Sequence, residues 1–148
     1  NKIQKIHLKT SKLLRIDCSD NKIETIDGDF DNVRILHCSD NSLTQITNMP
    51  NLVKLICTSN NINKLDKLDK LVELIANKNS ITKLSDLPSV SYIDCIQNPL
   101  QVVDFMPSLK EIGFDYDHPV EIDEQFEISN AQTCYDDATG NKYIIIEF

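Results

Sequence analysis

Apolar residues return along this chain with a period of 19 to 20. One aliphatic column runs Leu13, Val33, Leu52, Leu71, Val90 and Leu109. Three residues on, a second runs Ile16, Leu36, Leu55, Leu74, Ile93 and Ile112. Two residues further stand Cys18, Cys38, Cys57, Ala76, Cys95 and Phe114. Asparagine then recurs at Asn21, Asn41, Asn60, Asn79 and Asn98, with steps of 20, 19, 19 and 19. A step back falls on Asn1 and a step forward on Asp117. After each Asn come two more aliphatics, as in Ile23 and Ile26 or Leu43 and Ile46. The unit reads L-x-x-L-x-C-x-x-N-x-L-x-x-L.

The segment L-x-C alternates with period two and predicts a short strand with one face inward. A strand in every unit, with no hairpin dipeptide between, predicts parallel strands joined by crossovers. The unit is too short for a crossover helix after strand and turn, so the return is extended or a single 3₁₀ turn. The Asn sits where the chain leaves the strand. Its amide carries donors and acceptors for the backbone groups that such a turn buries. Stacked units then predict a structural ladder of Asn21, Asn41, Asn60, Asn79 and Asn98. One unit carries an extra residue at Asp27-Gly28-Asp29-Phe30. Phe30 is expected to fill the place of Met49, Leu68, Leu87 and Met106 in the other units, with Gly28 permitting the kink.

These five near-perfect units, with Cys at the inner position and Pro50, Pro88 and Pro107 in the return, resemble leucine-rich repeats of the short 19–20-residue class. That class occurs in bacterial effectors and in giant DNA viruses. The resemblance implies a β-rich solenoid, α/β by class. It would be a right-handed coil with a parallel sheet on its concave face. Residues 1–117 are assigned to the solenoid, about six units with the first one partial. The opening Asn1–Ile6 matches Asn21–Ile26, so the missing strand half is expected to precede it. Residues 118–148 leave the pattern. Thr133–Tyr135 and Tyr143–Ile146 flank the turn-rich stretch 136–141, which predicts a β-hairpin serving as C-terminal cap.

Composition narrows the function. The 148 residues carry a net charge of -8, and only three are Gly. Residues 111–148 hold ten acids against Lys142 alone. This balance argues against a general nucleic-acid binder. No apolar run is long enough for a membrane helix, and too few glycines are present for a Gly-rich phosphate loop. Cys18, Cys38 and Cys57 share one column on adjacent strands, close enough for a disulfide, with Cys95 two strands on, and four thiols in a row could also suggest a soft metal. The repeat demands an apolar residue there, Ala76 fills the same slot, and no C-x-x-C occurs. They therefore read as buried thiols acting as small hydrophobes. With no N-x-S/T sequon either, the expected setting is an intracellular, reducing compartment. His7, His37 and His118 fall in different units, and no catalytic or metal motif joins them.

What remains is the outward face of the strands. In-register stacking would gather Ile35, His37, Ile56, Ile75, Tyr92 and Ile96, which the core does not require, within a rim of Arg15, Asp17, Lys54, Glu73 and Asp94. An apolar cluster with a polar rim marks a partner site. The expected function is a non-enzymatic module that binds a protein partner through the concave sheet. No cofactor, metal, nucleic acid or membrane is expected to take part. The alternatives are a structural component of a virion or surface assembly, and the recognition domain of a larger effector. The resemblance places such a protein in a host cytoplasm or a virion.

Overall fold

A computed structural model of the chain describes residues 2–9, 12–115, 117, 119–135, 140 and 142–148. Asn1, His118 and most of the expected hairpin turn at 136–141 lie outside the described residues. The described residues form strands and no helix. Six strands stack side by side: β2 (Arg15–Asp17), β4 (Ile35–His37), β6 (Lys54–Ile56), β8 (Glu73–Ile75), β10 (Tyr92–Asp94) and β12 (Glu111–Asp115). All five junctions are parallel and in register, so that Ile16, Leu36, Leu55, Leu74, Ile93 and Ile112 form one row. The molecule is a parallel β-solenoid of about six turns.

The return half of each turn is extended and carries a second strand. These are β1 (Lys5–Leu8), β3 (Thr25–Gly28), β5 (Gln45–Thr47), β7 (Lys64–Asp66), β9 (Lys83–Leu84), β11 (Val102–Val103) and β13 (Glu121–Ile122). They pair in three separate groups: β1 with β3, β5 with β7, and β9 with β11 and β13. The first break falls at the unit with the extra residue. The core lies between the two rows. Leu36, Leu55, Leu74 and Ile93 are wholly buried, as are Leu43, Ile62 and Cys38. Each such aliphatic side chain contributes about 2 kcal/mol through removal from water. Phe30 is buried with Met49, Leu68, Leu87 and Met106, as the pattern predicts.

The asparagines tie one turn to the last. Asn60 Oδ1 accepts from the Leu43 N–H at 3.0 Å, in the preceding turn. Its Nδ2 donates to the carbonyls of Cys38, Cys57 and Thr58 at 3.0, 3.1 and 3.3 Å. Asn41 and Asn79 repeat the pattern, accepting from Ile23 and Ile62 at 2.8 and 2.9 Å. Asn98 accepts from Ile81 at 2.9 Å, and Asn21 from Ile3 at 3.2 Å. The residue before each Asn turns the corner in the left-handed region. Asp20, Asp40, Ser59, Lys78 and Gln97 have φ of 56, 54, 55, 56 and 60°. That reversal brings the carbonyls two and three residues back onto the Asn amide. In four turns the corner's own N–H groups donate to carbonyls of the next corner, as Asp40 does to Thr58 and Asn41 to Ser59.

At the last turn the pattern changes. The corner of Asn98 lies against Asp115, which stands in the column of Ser39, Thr58 and Asn77. Its buried carboxylate accepts from Gln97 N–H and Asn98 N–H, the latter at 3.1 Å, replacing two carbonyls of a further corner. The cause is β12, which runs two residues longer than its neighbours. Its outer side pairs antiparallel with β15 (Lys142–Glu147), which pairs antiparallel with β14 (Asn130–Tyr135). Beside this extension Val120, Ile122, Phe126, Ile144 and Phe148 pack onto the core. Phe126 stacks on Phe148 with ring centroids 4.3 Å apart.

Two outcomes follow. Asn60→Ala strands the Leu43 N–H and removes one of two donors from the carbonyls of Cys38, Cys57 and Thr58, and at ~1–3 kcal/mol for a buried group left unsatisfied should cost ~1–3 kcal/mol. Asn63→Ala, at an exposed site, should stay within ~0.5 kcal/mol. Equal shifts in urea denaturation would refute the ladder. Gly28 has φ of 117°, and a Cβ there would lie 1.9 Å from the Leu8 carbonyl oxygen. Gly28→Ala should therefore lower stability by ~2 kcal/mol or more, read from the same titration.

Candidate functional site

The outward face of the six parallel strands is built by register. One row reads Arg15, Ile35, Lys54, Glu73, Tyr92 and Glu111. The parallel row reads Asp17, His37, Ile56, Ile75, Asp94 and Gly113. Alternation sends these outward because the residue between them is the core aliphatic. All six residues expected at a partner site, Ile35, His37, Ile56, Ile75, Tyr92 and Ile96, are half-buried. Ile56 and Ile75 are direct cross-strand partners, with His37 and Asp94 on either side.

The expected rim is only partly a rim. Arg15 and Asp17 lie at the N-terminal edge, where Arg15 Nη2 approaches His37 Nδ1 at 3.4 Å and Asp17 lies 3.8 Å from it. A hydrogen bond from the Ser19 N–H, more than the nearby His37 and Arg15, holds the Asp17 carboxyl below its usual range. Lys54 and Glu73, by contrast, cross the middle of the face and pair at 2.7 Å. They sit on the two strands that carry Ile56 and Ile75, so the apolar centre has an ion pair running through it.

Tyr143, Ile145 and Glu147 of this face lie outside the repeat. In the antiparallel pairing, Ile145 stands opposite Gly113 and Tyr143 opposite Asp115, so β15 extends the outward rows by one strand. The apolar run Tyr143–Ile146 was visible in the sequence, but nothing local says which strand it joins. At this end Asn77 fixes the geometry. Its Nδ2 donates to Asp94 Oδ2 at 2.9 Å, and its Oδ1 accepts from Ile96 N–H at 2.7 Å. Burial, and then the charges of Asp94, Glu111 and Glu73, raise the Tyr92 phenol above its ordinary range.

The other chemically able groups are placed elsewhere. His7 and Lys5, on β1, contact the exposed Asp27 carboxylate on β3, Lys5 at 2.8 Å. Hydrogen bonds from Lys5 and then His7 lower the Asp27 carboxyl. This trio belongs to the return strands and shares no surface with His37. Among the described residues no group of three or more His, Cys, Asp or Glu is arranged to hold a metal ion. Cys18, Cys38, Cys57 and Cys95 are buried, whereas Cys134 on β14 is half-buried. The Cys95 thiol donates to the Gly113 carbonyl at 3.2 Å.

Burial raises the Cys18 thiol to about 11 and Cys57 to about 12, and drives Cys38 and Cys95 upward as well. An unfolded thiol ionises near ~8.5. The folded state keeps the proton longer, so the thiols' contribution is complete below that pH and is lost as pH rises toward the folded values. Each thiol should add up to ~1 kcal/mol per pH unit to the alkaline decline. Urea midpoints at pH 8, 9 and 10 should fall less steeply in Cys57→Ala than in the natural chain. Identical slopes would contradict the burial of that thiol. No protein-family model matches this chain, and no curated protein matches it at a meaningful level of similarity.

Proposed function

We propose that this chain is a non-enzymatic interaction module that binds a protein partner through the outward face of its long sheet. The observation carrying this reading is the set Ile35, Ile56, Ile75 and Tyr92 on adjacent strands of one face, with Ile96 just past the end of β10. The core is already filled by the Leu, Ile and Cys columns, so folding does not explain aliphatics on the other side. Exposed apolar clusters bounded by polar groups are a usual mark of interfaces, and Tyr92 is the natural anchor. The Lys54–Glu73 pair supplies both signs of charge at the centre, which suits registering a protein surface better than holding a small apolar ligand.

The repeat pattern supports the further reading that the solenoid is a leucine-rich repeat coil, with this face its concave side. It also supports a division in which 118–148 cap the last turn. Phe126, Phe148 and Ile144 packing on the core favour that division. Four buried thiols suit an intracellular, reducing setting. A structural role in an assembly is the second reading. Its support is that β2 and β14 each pair on one side only, leaving two sheet edges open among the described residues.

The decisive comparison uses the intact chain as bait beside three variants. Ile56→Asp and Tyr92→Ala should each reduce capture of a specific partner at least tenfold with unchanged thermal unfolding. Asn63→Asp, on the return side, should leave capture intact. Equal capture by all four proteins would place the contact off this face. Concentration-dependent self-association in light scattering, abolished by proline in β14, would favour the assembly reading.

A further inference from the structure

The outward face ends in a cavity where the parallel strands meet the antiparallel extension. It has a volume of about 170 Å³ and lies over β10, β12 and β15. Tyr92 and Tyr143 contribute phenol rings, Ile96 and Ile145 contribute apolar wall, and Asp94 and Glu111 contribute carboxylates. The space exists because Gly113 stands in the row that elsewhere carries Ile56, Ile75 and Asp94. A Cβ on Gly113 would meet only Asp94 Oδ1 at 3.7 Å and the Ile144 carbonyl at 3.9 Å, both ordinary contacts. Backbone geometry therefore does not require glycine here, and its effect is to leave room.

Charge at this cavity is unbalanced in a way the rest of the face is not. Glu73 has Lys54 beside it at 2.7 Å. Glu111 stands directly opposite Glu147 across the β12–β15 pair, an arrangement of like charges that costs stability. Asp94 accepts one hydrogen bond, from Asn77, and its Oδ1 is shielded from water without a partner. Among the described residues no basic side chain lines the cavity. Two carboxylates and two tyrosines lining one cavity, with no basic residue among the described lining, form an environment that a guanidinium or ammonium group would complete.

We infer that this cavity receives a Lys or Arg side chain of the protein partner, so that the partner's basic residue docks at the C-terminal end of the face that Ile56 and Ile75 begin. The inference rests on the reading of that face as the docking surface and adds the chemistry of one contact. The cation would sit between Tyr92 and Tyr143 and be held by Asp94 and Glu111. Its aliphatic stem would lie along Ile96 and Ile145.

The test uses short acetylated, amidated peptides, Ala-Arg-Ala, Ala-Lys-Ala and Ala-citrulline-Ala, titrated into the isotopically labelled full chain and followed by NMR. The Arg or Lys peptide should shift the amides of residues 92–96 and 111–113 in a saturable manner, and the citrulline peptide should not. Asp94→Asn keeps the acceptor for Asn77 and should weaken binding at least fivefold. Gly113→Ala narrows the cavity without backbone strain and should weaken it similarly while the thermal midpoint holds. Spermidine at equal concentration should bind more weakly than the better peptide. Stronger spermidine binding would instead identify a free-polyamine site. Equal binding of the citrulline peptide, no saturable shift with any cation, or unchanged affinity in both variants would overturn the proposal. If it fails while Ile56→Asp still abolishes capture of a partner, only the cavity's role is lost. If Ile56→Asp and Tyr92→Ala are both silent, the reading of the face fails with it.

Discussion

One side chain in each turn settles how this coil can exist. A solenoid without helices must bury its corners, and a buried corner leaves carbonyls and N–H groups that water cannot reach. The repeat Asn answers both needs with one amide. Its Nδ2 gathers the carbonyls of its own corner and, in the inner turns, one from the preceding corner, while its Oδ1 takes an N–H of the turn before. Each turn is thus bonded to its predecessor through a side chain as well as through two rows of strands. Such a bond has a direction. Asn60 depends on Leu43 and Cys38 behind it, and nothing in its own amide reaches forward. Stability in a coil of this kind is a sum of nearest-neighbour terms, and the ladder makes those terms unequal at the two ends.

The corner of Asn98 shows a variation on this scheme. Asn98 is 5% exposed, and the Asp115 carboxylate accepts from the N–H groups of Gln97 and Asn98. Asp115 offers acceptors only, which is what two orphan N–H groups need. A further Asn could not replace it without leaving amide donors to place. At this corner one side-chain carboxylate does what the backbone carbonyls of Thr58 and Ser59 do for Asp40 and Asn41 inside the coil.

Most of this was legible in the residues. The core columns, the parallel register, the extended return and the place of Phe30 follow from spacing alone. The left-handed corners were not. Asp20, Asp40 and Ser59 are ordinary turn formers, but Lys78 and Gln97 adopt the same φ with no local preference for it. There the tertiary ladder imposes the conformation, at a cost of order 1–2 kcal/mol per residue. The contact of Asp115 was not legible either, because β15 pairs with β12 and extends it two residues beyond its predecessors, a pairing that periodicity does not predict. The site was legible in part. Six outward residues came from in-register counting, but Tyr143 and Ile145 lie outside any repeat, and no periodic argument reaches them. The position of Lys54 and Glu73 at the centre was implicit in the same counting, though sorting residues by polarity assigned them to a rim.

Tyr143 and Ile145, which no spacing reaches, lie at the junction of the repeat with the antiparallel extension, and their place there has a physical basis. Inside the coil each outward residue has a neighbour in the same row on both sides. Its environment is nearly the same from turn to turn, so a cavity or an unmatched charge is hard to accommodate. Where β15 reverses direction, the rows continue but the repeat no longer sets what stands in them. Gly113 can omit a side chain because Ile145 and Asp94 hold the walls, and two glutamates can face each other because only one pair bears the strain. A repeat protein has few positions at which a shaped, charged recess is compatible with stacking. The last parallel strand is one, since the periodic constraint acts on it from one side only.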